Sequence, residues 1–247
     1  MRLYYDLHIH SSLSPCGDND MTPNNIVNMA KLNELDIIAI TDHNSCKNCS
    51  AAIKVGNEVG VTVVPGMELT TSEDIHVVCL FPDLESAEAF DGYVYERLMK
   101  VPNEANIFGH QYVMDENDEI IDEVDMLLIS SCDISVMDVK EIVNSFGGVA
   151  LPAHVNRDSY SIIAVLGEIV EECNFDFIEV SRSGNPDNYD YPSIMNSDAH
   201  YLENILEKEL ELLKIDAING DGDFKDQIIY DGFDKFMTLF ARKEYEN

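Results

Sequence analysis

Basic residues are scarce in this sequence. Lysine and arginine number 15 against 47 acidic residues, for a formal charge of −32 at pH 7. So acidic a balance argues against an open, basic surface for nucleic acid. It leaves a solvated acidic exterior, or carboxylates that hold cations. No apolar run is long enough to cross a bilayer, and the N-terminus lacks a basic flank followed by an apolar stretch. A soluble, cytoplasmic chain with no membrane partner is therefore expected. The six cysteines (Cys16, Cys46, Cys49, Cys79, Cys132 and Cys173) follow no secreted-scaffold spacing, so reduced thiols are the expectation. Cys46 and Cys49 form a Cys-x-x-Cys, but no second pair follows for a structural zinc, and the two read as reduced thiols near a helix N-terminus. Neither a Gly-x-Ser-x-Gly elbow nor a Gly-x-x-x-x-Gly-Lys phosphate loop occurs, which argues against a serine-nucleophile hydrolase and an NTPase. With no internal repeat, low-complexity segment or linker, residues 1–247 read as one domain.

Short apolar runs alternate with helix signals along the chain. Residues 4–9, 37–40, 61–64, 75–81, 149–154, 177–180 and 193–200 read as strands or strand ends. Thr22-Pro23 reads as an N-cap with proline in the first turn, and further helices are expected at about 45–59, 85–100, 136–146 and 162–173. This rhythm predicts an α/β fold with a mostly parallel sheet. Residues 111–124 read as a hairpin insertion with an acidic turn, and an atypical C-terminal segment begins at about residue 206. Within it, 210–215 is a candidate edge strand and 224–242 a candidate helix.

The histidines are placed unusually. In an extended strand His8 and His10 face one way, with Leu7 and Ile9 opposite. Asp42 with His43, Glu68, His76, His154, and Asp198 with His200 each follow an apolar strand in this reading. In an α/β barrel such side chains converge on one mouth. Imidazole and carboxylate together suit zinc, manganese or iron. Taken singly, His76 and His154 pass as satisfied core histidines, and Glu68 and Asp198 as helix caps or loop acids. Their recurrence at successive strand ends favours a metal centre. Two divalent ions there could hold a phosphate and bring a shared water's pKa near neutrality. Arg157 and Arg182, cations just after strand ends, are candidate clamps for substrate phosphate, with a surface salt bridge as the alternative for each.

The same residues carry a family resemblance. His8-Ile9-His10-Ser11, Thr41-Asp42-His43-Asn44, Pro65-Gly66-Met67-Glu68, Pro152-Ala153-His154 and Ser197-Asp198-Ala199-His200 resemble, in order, the motifs of the PHP (polymerase and histidinol phosphatase) family. The resemblance implies a distorted (β/α)7 barrel with its metal site at the C-terminal strand ends, two or three divalent ions, and phosphoester hydrolysis. It implies His8, His10, Glu68 and Asp198 around a first ion. Glu68, His76 and His154 belong to a second, with Glu68 bridging, and His43 and His200 to a third. Glu68, Asp198 and His200 are the implied catalytic residues. Asp42 is a further candidate, better read as a partner that orients an imidazole. The pattern departs at Ser14-Pro15-Cys16-Gly17-Asp18, where trinuclear members place another histidine, and Cys16 and Asp18 are the candidate substitutes. His110 matches no ligand position and reads as a loop or hairpin residue.

The function expected is a metal-dependent hydrolase of small phosphomonoesters, such as a nucleotide, sugar or amino-alcohol phosphate. The alternatives are a phosphodiesterase or exonuclease acting on nucleic-acid ends, and a metal-stabilised binding domain without catalysis.

Overall fold

The computed structural model describes residues 4–182, 189 and 191–207. The edge strand and final helix expected beyond residue 209 lie outside the described residues. In chain order the elements are β1 (Tyr5–Ile9), α1 (Pro23–Leu32), β2 (Ile37–Ile40), α2 (Cys49–Val59), β3 (Thr62–Thr70), β4 (His76–Leu80), α3 (Leu84–Arg97), α4 (Ala105–Phe108), β5 (Tyr112–Met114), β6 (Ile120–Glu123), α5 (Val136–Ser145), β7 (Val149–Pro152), α6 (Ile162–Leu166), β8 (Ile178–Ser181) and β9 (Ser193–Asn196).

Local chemistry explains where most helices start and stop. Thr22 caps α1 by accepting the Asn25 N–H at 3.2 Å, and Pro23 fills the first turn. Gly60 ends α2 in the left-handed conformation, φ +79°. That helix begins at Cys49, later than the sequence suggests, because the preceding residues are tied elsewhere. Ser45 Oγ and the Cys46 N–H both donate to Asp91, at 2.7 and 2.8 Å. Likewise α6 stops at Leu166, short of the expected Cys173, where Gly167 turns the chain at φ +87°.

Five strands form one curled sheet in the order β1-β2-β3-β4-β7. The α/β class agrees with expectation, but the mostly parallel sheet does not. The pairs β1–β2 and β2–β3 are parallel, whereas β3–β4 and β4–β7 are antiparallel. The reversal follows from the short link at Thr71–Ile75, closed by a Thr71 N–H to Ile75 carbonyl bond at 2.9 Å. A hairpin link that short has no room for a crossover helix. The parallel pair β8–β9 stands apart and meets the sheet through an Ile9–Ala199 bridge and a Val155 N–H to Glu179 carbonyl bond of 2.9 Å. Among the described residues the strand hydrogen bonds thus give a curled half-barrel with a pair alongside, not a closed seven-stranded barrel.

The core lies on both faces of this sheet. Ile9, Ile38, Ile40 and Met67 pack with the helices, while Tyr5, Leu7, Val64, Val78, Leu80 and Leu151 fill the inner side. Leu7 and Ile9, expected on one face, belong to different layers. A register irregularity between Asp6 and Ile9 switches the alternation. Such bulges re-aim side chains next to functional sites.

Candidate metal centre

The polar end of the inner layer is where the chemistry-bearing residues meet. Glu68 shares its strand face with inner-layer Val64, and His76 shares its face with Val78 and Leu80. Because β4 runs backward, His76 opens its strand instead of following one. The antiparallel pairing of Thr70 with His76 brings that start to the end of β3 that carries Glu68. His154 and Asp198 leave their strands in left-handed backbone, φ +30° and +53°. For non-glycine residues this costs about 1–3 kcal/mol each, strain typical of functional sites.

The carboxyl group of Glu68 is the hub. Its Oε1 lies 2.9 Å from His76 Nδ1, 3.2 Å from His154 Nε2 and 3.4 Å from His8 Nε2. Its Oε2 lies 3.2 Å from His10 Nε2 and 3.1 Å from His43 Nδ1. Asp198 Oδ1 stands 3.0 Å from His10 Nε2 and 3.4 Å from His8 Nε2. The two ring nitrogens of His8 and His10 face each other at 3.2 Å. Donor atoms around one tetrahedral ion, with bonds of about 2.1 Å, stand about 3.4 Å apart, so these are ligand-to-ligand spacings. Buried His43 Nδ1 and Asp198 Oδ1 find no aligned hydrogen bond despite their close neighbours. Atoms so placed converge on a common point, and the residues present fit divalent cations. The ligand-type atoms gather in three overlapping groups: His8, His10, Glu68 and Asp198; His43, Glu68 and His76; and His10, Cys16, His43 and His200.

The surrounding hydrogen bonds fix which nitrogen each ring presents. His8 donates Nδ1–H to Glu179, 2.8 Å from Oε2, which leaves the Nε2 lone pair facing the cluster. Ser14 Oγ donates to Asp42 Oδ1 at 2.7 Å and therefore accepts Nδ1–H of His10 at 2.9 Å. His200 donates Nδ1–H to the Asp198 carbonyl at 2.9 Å. Arg157 pairs through Nη1 with Asp198 Oδ2 and reaches Ser181 Oγ through Nη2 at 3.1 Å.

Charge divides the centre. Burial opposes ionisation of Glu68, but His76, His8 and His43 hold its carboxyl well below the usual range, and His8 and His10 do the same for Asp198. His8 and His10 are also buried, yet the carboxylates prevail. Glu179, Glu68 and Asp198 raise His8 well above its ordinary value, while Asp198 and Glu68 raise His10 to about 9. His43 and His200 move the other way, lowered first by burial and then by the charge of neighbouring His10, His200 to about 4. One side of the centre thus carries protons that an ion would displace, and the other holds neutral imidazoles.

The expected residues therefore gather, with some distinctions. Asp42 is buried and bonded to Ser11 and Ser14, so it orients His10 through a serine and faces no ring directly. Of the two candidates in the departing loop, Cys16 joins the cluster. Asp18 instead accepts the Asp20 N–H at 2.9 Å within its own turn. Arg157 stands at the centre, while Arg182 is exposed at the end of β8. His110 stacks on Tyr112 and pairs with Glu123 in the β5–β6 hairpin. That hairpin is tied to the loop after β1 by a Tyr112 N–H to Ser12 carbonyl bond and by Thr22 Oγ1 donating to Asp118. The sequence reading did not single out Glu179, which also accepts the His154 N–H at 3.0 Å and the Asn196 side-chain amide at 3.0 Å. A lone acid inside the apolar run Ile178-Glu179-Val180 was the available signal, because a buried charge needs a partner.

An α/β half-barrel with imidazoles and carboxylates gathered at one end of its inner layer is the arrangement of a metal-binding domain. The PHP domain model matches residues 6–237, and the chain belongs to that family. Its sequence is similar to an uncharacterized protein of Methanocaldococcus jannaschii, 38% identical over 76 residues, 28% of this chain and 44% of that protein. A 5'-3' exoribonuclease of Haemophilus influenzae is 32% identical over 79 residues, 31% of this chain and 28% of the relative. Both matches thus span less than half of the relatives' length. In fold it is similar to a protein assigned as a metal-dependent phosphoesterase from Bifidobacterium adolescentis, with TM-score 0.59, 17% identity, and coverage of 85% of this chain and 94% of that one. It is also similar to a lesion-specific endonuclease from Pyrococcus furiosus, with TM-score 0.56, 20% identity, and coverage of 81% and 49%.

Proposed function

We propose that the chain hydrolyses phosphoesters, small phosphomonoesters foremost, at a centre of two or three divalent ions drawn from zinc, manganese and iron. The observation that carries this reading is the position of Glu68, whose carboxyl oxygens lie within 3.4 Å of ring nitrogens both of His8 and His10 and of His43, His76 and His154. His8, His10, Glu68 and Asp198 would hold one ion, and Glu68, His76 and His154, with His43 at hand, a second. Ions so held supply Lewis acidity and an ionised water. The chain's own residues supply the rest. Glu179 and the Asp42–Ser14 relay keep His8 and His10 in the tautomer that presents Nε2. Arg157 holds Asp198 on one oxygen and leaves the other toward the rings. Its half-exposed guanidinium also offers a charge to an incoming phosphate. Arg182, exposed at the end of β8, is a candidate for the rest of a larger substrate. Six free cysteines accord with a reducing, cytoplasmic setting.

The test is turnover of an aryl phosphate by protein reconstituted with each metal in turn. Loss of turnover in Glu68→Gln and Asp198→Asn is expected, and undiminished turnover in either would overturn the reading. A second reading, cleavage of nucleic-acid ends, is favoured by the exoribonuclease relative. It predicts release of nucleotides from single-stranded RNA with little activity on aryl phosphate, and the acidic exterior weighs against it.

A further inference from the structure

The loop after β1 places a thiol among imidazoles. Cys16 Sγ and ring nitrogens of His10, His43 and His200 all lie within 4.8 Å of one another. His10 Nε2 is directed at Glu68 and Asp198 and His43 Nδ1 at Glu68, so Cys16 and His200 adjoin the Glu68 cluster with His43 on the boundary between them. His200 has its Nδ1–H on the Asp198 carbonyl, so its Nε2 lone pair is available. The buried Nδ1 of His43 finds no aligned hydrogen bond although Glu68 Oε2 stands 3.1 Å away. The loop is held over these rings by backbone bonds, with Gly17 N–H to Ser14 carbonyl at 2.9 Å and Asp18 N–H to His200 carbonyl at 2.9 Å. No other thiol is so placed. Cys46, Cys49, Cys79, Cys132 and Cys173 are buried, and Cys16 alone is exposed. Cys46 and Cys49 point their thiols at carbonyls of Ala87 and Ile40.

We propose that Cys16 is a thiolate ligand which, with His43 and His200, holds one ion of the centre and makes that corner selective for a thiophilic cation, zinc or ferrous iron, over manganese. Binding releases the thiol proton to solvent and forms the metal–sulfur bond. The proposal rests on the phosphoesterase reading only for the neighbouring ions.

Cobalt(II) substitution of the full chain tests it. Wild type is expected to show a near-ultraviolet thiolate-to-cobalt charge-transfer band. Cys16→Ser is expected to lose that band, and Cys16→Ala to lose about one equivalent of cobalt as well. Cys16→His should retain the equivalent without the band. A second readout needs no variant: zinc, but not manganese, should protect Cys16 of metal-stripped protein from iodoacetamide, mapped by peptide mass. A band that survives in Cys16→Ser, its absence from cobalt-loaded wild type, or equal labelling with and without zinc would overturn the assignment. Cobalt bound without the band sinks the thiolate ligand and leaves the phosphoesterase reading standing. A band in protein that turns over no phosphoester supports the ligand and sinks the activity.

Discussion

Two walls of the centre are built on different principles. On the wall of His8, His10 and Asp198, each donor has a partner behind it: Glu179 for His8, Ser14 and Asp42 for His10, Arg157 for Asp198. On the wall of Cys16, His43 and His200, only His200 is braced, and by a backbone carbonyl two residues away. The first wall is buried throughout, whereas Cys16 is exposed and His200 partly so. A braced, desolvated wall holds its geometry before any ion arrives, and an unbraced one takes its geometry from the ion. Glu68 belongs to both, since one of its oxygens reaches His8 and the other His43.

Removing the shared residue is expected to have the largest effect. Glu68→Gln should lower turnover about a thousandfold or more, the equivalent of several kcal/mol of lost transition-state stabilisation, and should reduce the metal content measured by elemental analysis. If only the unbraced wall lost metal, the two would be separate sites and not one centre. Next comes the brace itself. Glu179→Gln preserves shape but removes the charge behind His8, and should weaken metal binding about 10- to 100-fold, as competition with a chelator would measure. An affinity unchanged by that substitution would remove the distinction between the walls.

The walls also differ in how they answer to pH. His8 and His10 are held above their ordinary values, His10 to about 9, so both carry protons at neutral pH that an ion must displace. Raised ligand pKa values make affinity fall as pH falls below about 9, about tenfold per unit for each proton displaced. His200, lowered to about 4, has no proton to lose across that range. Calorimetry in buffers of different ionisation enthalpy should therefore register proton release on loading the wild-type centre between pH 7 and 8. His10→Ala should release fewer protons, and His200→Ala the same number as wild type, from the histidines.

These contrasts explain what the sequence could reveal. Apart from His76, which opens its strand, the ligand-type residues were legible because strand ends are local: a short apolar run followed by His, Asp or Glu is a pattern within a few residues. The braces were not, because Glu179 meets His8 across 171 positions and Arg157 meets Asp198 across 41. The reversal of β4 was hidden as well. The alternation in His76-Val77-Val78-Cys79-Leu80 reads alike in both directions, and only the shortness of the Thr71–Ile75 link betrays the hairpin. The parity switch in β1 depends on a bulge that no residue type announces.

The smallest effect expected probes what holds the open wall in place. Gly109, just before the β5–β6 hairpin, packs against the loop that carries Cys16. A Cβ there would lie 2.1 Å from the Pro15 carbonyl oxygen, and the backbone is at φ +106°. Neither the contact nor the conformation accommodates a side chain, so Gly109→Ala should lower stability by about 1–3 kcal/mol, read as a fall in Tm. The displacement acts on backbone next to Cys16 and leaves Glu179 and its imidazole untouched. Metal affinity at the braced wall should stay near wild type, while zinc protection of Cys16 from alkylation weakens. Equal losses at both walls would mean that the hairpin supports the whole centre, and that the unbraced wall is no more dependent on its loop than the other is on its acids.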